Sequence, residues 1–353
     1  MKALPHLSVF ILLLVSPTIF AQEPKEKETK QKAEKYDLFD NQTTLEITLK
    51  TDFKHLLKNK YKDEYQPAKI IFMREDEEVT KEIRVKPRGA FRLKYCNFPP
   101  LKLNFKYTKF DNPNIKSLNS LKLVTNCKRQ NLFEQYILKE YIIYKMYNLL
   151  TDMSFRVRLI KMKYIDTGEK LKPSTKYSFV IEDQDQVAER NSALLIKREN
   201  IATAQIEPQR LAMLSVFQYM IGNTDWYVPG LHNIKLIKEN NHVMQYPTAV
   251  PYDFDYTGFV NTIYAKPDKI LNISSVRERV FRGVCLDREY YDLAFEDMLS
   301  FKSDFYELIN NGEGLTAESK TEMTTYLDEF YAILANQDSF FETIQNNCIG
   351  ETK

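Results

Sequence analysis

Glycine is scarce in this sequence, with 9 in 353 residues. That excludes collagen-like and glycine-rich repeat architectures. Neither G-x-G-x-x-G nor G-x-x-x-x-G-K-[ST] occurs, so the two commonest backbone cradles for phosphate are missing. No excess of one charge exists either. Lys+Arg number 50 and Asp+Glu 48, leaving a net charge of +2, which argues against a chain-wide electrostatic grip on nucleic acid. The 4 cysteines, Cys96, Cys127, Cys285 and Cys348, are scattered with no C-x-x-C. A zinc site needs clustered ligands and is not expected. Beyond the N-terminus no apolar run approaches the roughly 20 residues of a spanning helix. What is abundant is aromatic side chain, with 22 Phe and 22 Tyr. Apolar residues make up 43% of the chain, enough to build the core of one large domain or two modest ones.

The N-terminus reads as an export signal. Met1-Lys2 gives a basic start, Val9–Val15 is an unbroken apolar run, and Ser16-Pro17 ends it. Cleavage is expected after Ala21. No cysteine follows the run, which disfavours a lipoprotein. Residues 22–37 are charged and polar, and are expected to be a flexible linker. An exported protein meets an oxidising compartment, so one or two disulfides are expected, with buried free thiols as the alternative. The sequence leaves the pairing open.

Two textures follow. In residues 38–185, alternating segments predict strands at Thr44–Lys50, Lys69–Met73, Glu82–Lys86, Leu101–Phe105, Arg156–Tyr164 and Lys176–Ile181. One long helix, Gln130–Leu150, interrupts them with apolar residues at helical spacing. In residues 186–347, helices are predicted at Gln209–Ile221, Asp287–Leu299, Ser303–Asn310, Ala317–Leu334 and Phe340–Asn347. Short strands are predicted at Asn233–Lys238, His242–Gln245 and Thr248–Tyr252. The expected class is α+β, with a β-rich part, an α-rich part and a cleft between them.

The chemistry is expected at their boundary. Gly222-Asn-Thr-Asp225-Trp226 follows a helix, and Trp226 is the only tryptophan. Asn233 opens a strand, and Asp253-Phe-Asp255 closes the next one. Carboxylates with an amide oxygen are the hard ligands that Mg²⁺ prefers. Each residue alone reads equally as a turn former. Their order, helix–Asp, Asn–strand–strand–Asp, is more specific. It is the layout in which one Asp receives a hydroxyl proton while an Asn and a second Asp hold metal against phosphates.

With these motifs the chain resembles the CotH-like family of atypical secreted protein kinases, over most of residues 40–300. Arg88-Gly-Ala-Phe-Arg92 followed by Leu101-Lys102-Leu-Asn-Phe105 is similar to that family's R-G-x-x-R…K-x-x-F strand pair. Tyr177–Glu182 is similar to its strand entering the hinge, and Tyr252-Asp253-Phe-Asp255 to its W-D-x-D metal motif. The resemblance implies a two-lobed protein-kinase-like fold, with a β-rich N-lobe and an α-rich C-lobe. It implies Asp225 as catalytic residue, with Asn233 and Asp253 holding Mg²⁺ or Mn²⁺ and Asp255 as a supporting or additional ligand. Lys102, Arg88, Arg92, Glu140 and Glu182 are implied on the ATP side, with Glu140, or else Glu134, pairing with Lys102. Arg88 and Arg92 read equally as strand-face charges paired with carboxylates. One departure is the spacer Val228-Pro-Gly-Leu231, which lengthens the gap from Asp225 to Asn233 and puts His232 beside Asn233. The expected function is an exported, metal-dependent phosphotransferase carrying the ATP γ-phosphoryl group to a protein or small-molecule hydroxyl. The alternative is a non-catalytic envelope or surface-binding protein, and a third reading is a metal-dependent hydrolase.

Overall fold

The computed structural model describes residues 38–40, 42–74, 76–108, 119–240 and 246–350. The expected signal segment 1–21, the linker 22–37 and the strand at His242–Gln245 lie outside the described residues. Seven strands form the first structural unit: β1 (Leu45–Thr51), β2 (Gln66–Arg74), β3 (Glu77–Pro87), β4 (Leu101–Asn104), β5 (Ser120–Val124), β6 (Val157–Asp166) and β7 (Ser174–Ile181). Short helices α1 (Phe53–Lys58) and α2 (Phe91–Tyr95) follow β1 and β3, and α3 (Asn131–Leu150) joins β5 to β6.

The strand order is β1-β2-β3-β4-β5-β7-β6, and the sheet closes. Closure comes from β1 running parallel to β6, from Leu45 opposite Ile160 to Thr51 opposite Asp166. A closed sheet leaves no unpaired edge. This overturns the expected two-lobed protein-kinase-like fold. The molecule is α+β, but its strands form a closed mixed barrel and not the sheet of a kinase N-lobe. Period-two alternation marks a strand equally well in an open or a closed sheet, and nothing local signals the β1–β6 pairing.

Burial explains the strand pattern. Leu101 and Leu103 point into the barrel beside Leu49, Ile70, Val85, Leu121, Leu123 and Met162. Lys102 and Asn104 alternate outward. The wall formed by β6 and β7 is buried on both sides. Val180 faces the barrel interior, while Leu159, Phe179 and Ile181 join a second core built on α3. The double burial shows as an apolar run only at the end of β7, Phe179-Val180-Ile181.

The rest of the chain adds α4 (Gln184–Arg190), β8 (Ala193–Ile196), α5 (Pro208–Met220), β9 (Ile234–Glu239), β10 (Thr248–Pro251), α6 (Arg288–Ser300), α7 (Lys302–Asn310), α8 (Ala317–Leu334) and α9 (Gln337–Asn347). A three-stranded sheet of order β10-β9-β8 lies among them. The expected boundary between residues 185 and 186 falls inside α4. Two disulfides form. Cys96–Cys127 staples the end of α2 to the segment after β5, and Cys285–Cys348 ties the approach to α6 to the end of α9. Among the described residues no helix is long and apolar enough to cross a membrane.

Candidate functional site

The loop after α5 is built by hydrogen bonds that sequence spacing alone hides. Gly222 ends the helix with a φ of 63°. Glycine reaches that region without a Cβ penalty, and a Cβ here would meet the Tyr326 hydroxyl. Asn223 is buried, and its side chain accepts from the Asp225 amide at 2.9 Å. The spacer Val228–Leu231 then folds back. Tyr227 and His232 exchange backbone hydrogen bonds of 3.1 and 3.0 Å, so the extra residues form a small hairpin instead of a gap. This returns His232 and Asn233 to Asp225. His232 Nε2 lies 2.7 Å from Asp225 Oδ1. Asn233 Nδ2 donates to Asp225 Oδ2 at 3.0 Å and to its carbonyl oxygen at 2.8 Å. The result is a partly exposed His–Asp pair braced by an amide.

The Asp253 side is held by one face of α3. Tyr136, Glu140 and Tyr144 recur every four residues and therefore share a face. The Tyr144 hydroxyl accepts from the Asp253 amide at 2.8 Å. Glu140 accepts from the Phe254 amide, and the Tyr136 hydroxyl accepts from the Ile263 amide at 3.3 Å. Asn233 and Asp253 both adopt positive φ, 52° and 66°. They adjoin in space, because the Tyr252 amide donates to the Asn233 carbonyl at 3.0 Å. Asn and Asp tolerate this region better than most residues. The same conformation recurs at other Asn and Asp residues in turns, such as Asn261 and Asn272.

Behind Asp253 sits a buried charge cluster. Arg92 Nη1 lies 3.7 Å from Glu140 and 4.0 Å from Asp255, and its Nη2 donates to the Thr125 carbonyl at 2.8 Å. Burial opposes the Arg92 charge, but Tyr264, Asp255 and Glu140 around it raise its pKa overall. Burial, then the Asp253 carboxylate, push Asp255 up to about 6 against the pull of Arg92 and a hydrogen bond from Tyr264. Burial and Asp255 likewise raise Glu140.

In front of that cluster lie three cations with no direct ion pair among the described residues, Arg88, Lys122 and Lys235. Arg88 is lowered by burial and supported by Asp253. Lys122 is pushed down to about 8 by burial and then by repulsion from Arg88, with Asp183 opposing and Lys235 adding to the repulsion. Lys122 and Lys235 flank the Tyr252 ring at 5.4 and 5.3 Å. Among the described residues none of these three side chains makes a hydrogen bond or a direct ion pair.

The structure brings together Asp225, Asn233, Asp253, Asp255, Arg88, Arg92 and Glu140. It places Lys102 one strand away, level with Lys86 and Lys122 on the outer face of the sheet. Glu140 pairs with Arg92 and not with Lys102, while Glu134 takes Lys176 at 2.9 Å. Glu182 is buried and spends its carboxylate on Arg190, 3.0 Å away. Sequence reasoning missed Lys122, Lys235 and Tyr144. The signal for Lys122 was the short alternation of Ser120–Val124, which repeats the pattern of β4.

Among the described residues no three His, Cys, Asp or Glu side chains are grouped to hold a metal. Asp255 is buried and its Oδ2 accepts from Tyr264 at 2.9 Å, with Arg92 4.0 Å from the same oxygen. The exposed Asp253 carboxylate and the Asn233 amide oxygen remain. They are too few for a dedicated cage, but Mg²⁺ bound through phosphates needs only one or two protein oxygens. No protein-family model matches the chain, and no curated protein matches it.

Proposed function

We propose that the protein is an exported phosphotransferase that carries the ATP γ-phosphoryl group to a hydroxyl of a protein or small molecule. One observation carries the reading: Arg88, Lys122 and Lys235 converge beside Asp253, and none of the three makes a direct ion pair among the described residues, so the three cations outnumber the carboxylate next to them. Unpaired, half-buried cations repel one another, and a polyphosphate relieves that repulsion while accepting charge-assisted hydrogen bonds. Asp253 and the Asn233 amide oxygen would hold Mg²⁺ or Mn²⁺, which supplies charge neutralisation across the phosphates. The His232–Asp225 pair accepts the hydroxyl proton: Asp225 orients the ring and stabilises its protonated form. Arg92 and Glu140 hold the Asp253–Asp255 loop in place. The two disulfides suit an oxidising destination. The reading draws on the order of local motifs shared with the CotH-like family and does not depend on a kinase scaffold.

Calorimetric titration with Mg-ATP or Mn-ATP tests it, together with two variants. Asp253→Ala is expected to weaken binding of the metal complex. It should leave metal-free ATP bound as well or better, since a negative charge has gone from beside Arg88. Asp225→Ala is expected to bind normally and to lose roughly 10²- to 10⁴-fold in turnover. Absence of binding up to about millimolar nucleotide overturns the proposal. Binding without turnover on any acceptor would describe a binding protein, and phosphate release without transfer would describe a hydrolase.

A further inference from the structure

A cavity lies away from this site. It opens at one mouth of the barrel and has a volume of about 660 Å³. Sites for small organic ligands span roughly 300 to 1,000 Å³. Its floor is aromatic. Phe53, Phe98 and Tyr164 form a mutually packed trio with ring centroids 5.0 to 5.7 Å apart. Leu57, Leu171 and Pro173 extend the apolar wall.

Two polar observations point to what the cavity takes. Asn126 lines it and is only 7% exposed, yet neither its Nδ2 nor its Oδ1 has a hydrogen-bond partner. A buried amide left unpaired costs free energy, so retaining it makes sense where a ligand supplies the missing bonds. The rim is cationic, with Arg129, Lys170 and Lys172. Among the described residues none of these three side chains has an ion-pair partner. The one carboxylate in the lining, Asp166, forms no ion pair with them. It is buried and accepts from four backbone amides, Phe53, Lys54, Lys170 and Leu171. Burial pushes its pKa up, but those bonds together outweigh it and hold the pKa below the usual carboxylate value, and they fix both lips of the mouth. The Cys96–Cys127 bridge fixes the remaining wall, because Asn97, Phe98, Asn126 and Lys128 flank its two cysteines.

We infer that this mouth is a binding site for a small amphipathic organic anion. The apolar or aromatic body lies on the Phe53–Phe98–Tyr164 floor, a polar group pairs with Asn126, and the carboxylate, sulfonate or phosphate meets the rim cations. The site is separate from the Asp225–Asp253 cluster and does not depend on the function proposed for it.

The test uses anilinonaphthalene sulfonate as the probe, with neutral phenylnaphthylamine as its uncharged counterpart, on the intact oxidised protein. Saturable one-to-one binding of the sulfonate is expected, about tenfold tighter than the neutral compound. The double variant Lys170→Glu/Lys172→Glu alters only exposed side chains and is expected to weaken the sulfonate at least tenfold with an unchanged melting curve. Leu57→Trp, which fills the mouth, is expected to abolish binding of both probes. Lys122→Met, at the other cluster, is expected to leave it unchanged. Equal affinity for the two probes, or undiminished sulfonate binding in the double variant, overturns the inference. So does loss of binding in Lys122→Met, which would assign the probe to the other cluster.

Discussion

Asp255→Asn isolates the cost of the buried charge cluster. The Asp255 carboxyl has an ordinary value of 3.8 and is held at about 6 in the folded protein. A carboxyl whose folded pKa lies above its unfolded value favours the folded state only while protonated. Its penalty is absent below 3.8, grows as the pH rises, and is complete above about 6. A shift of about two units at about 1.4 kcal/mol per unit makes that penalty about 3 kcal/mol at neutral pH. Asparagine removes the charge and keeps an oxygen to accept from Tyr264. Glu140 then ionises against Arg92 with one negative neighbour fewer.

The variant is therefore expected to be more stable than the wild type at pH 8, by up to about 3 kcal/mol or about 5 °C in Tm. The advantage should shrink steadily toward pH 4 and vanish there. Urea unfolding of both proteins at several pH values measures it. An Asp255→Asn protein less stable than the wild type at pH 8 would refute the reasoning, because it would mean that the Arg92 contact outweighs burial and repulsion. An advantage independent of pH would refute it equally.

Other consequences follow from the same geometry. Affinity for ATP should fall as pH rises through about 8, where Lys122 loses its proton, and Lys122→Met should remove that component and cost roughly tenfold or more at pH 7 by nucleotide titration. Replacing Cys96 and Cys127 by serine opens a loop spanning 31 residues. It should cost about 4 kcal/mol in urea unfolding and should loosen both the Asn126 wall and the Arg92–Thr125 contact. An unchanged unfolding midpoint would contradict that account.

Legibility differed by element, for physical reasons. Ala317–Leu334 was read at its true limits, because a long amphipathic helix repeats its signal over many turns. The strands β1 to β4, β6 and β7 were visible through alternation. The short helices α1 and α2 were not, since five or six residues carry too few turns to show a period, and β5 was missed although it alternates as β4 does. Closure was invisible because a parallel pairing between distant strands leaves no local trace. At the candidate site, the order of Asp225, Asn233 and Asp253 was legible and their meeting follows the chain path. The choice of lysine was not. Lys102 and Lys122 face the same way on adjacent strands, and only the position of the β9–β10 hairpin decides which one meets Asp253. Of the two readings left open for Arg92, pairing with carboxylates matches the Glu140 and Asp255 contacts.

That geometry gives one stretch of chain several tasks. In β5, Leu121 and Leu123 pack the barrel interior while Lys122 between them points outward to the Asp253 cluster. The next residues leave the strand and divide again. The Thr125 carbonyl fixes Arg92, Asn126 turns its amide to the barrel mouth, and Cys127 locks the stretch to α2. A barrel strand alternates its faces by necessity. A closed barrel therefore lets neighbouring residues serve the interior, the outer wall and the rim at once. A mouth site and an outer-wall site thus share the segment 121–127, and the disulfide at its end ties that segment to α2.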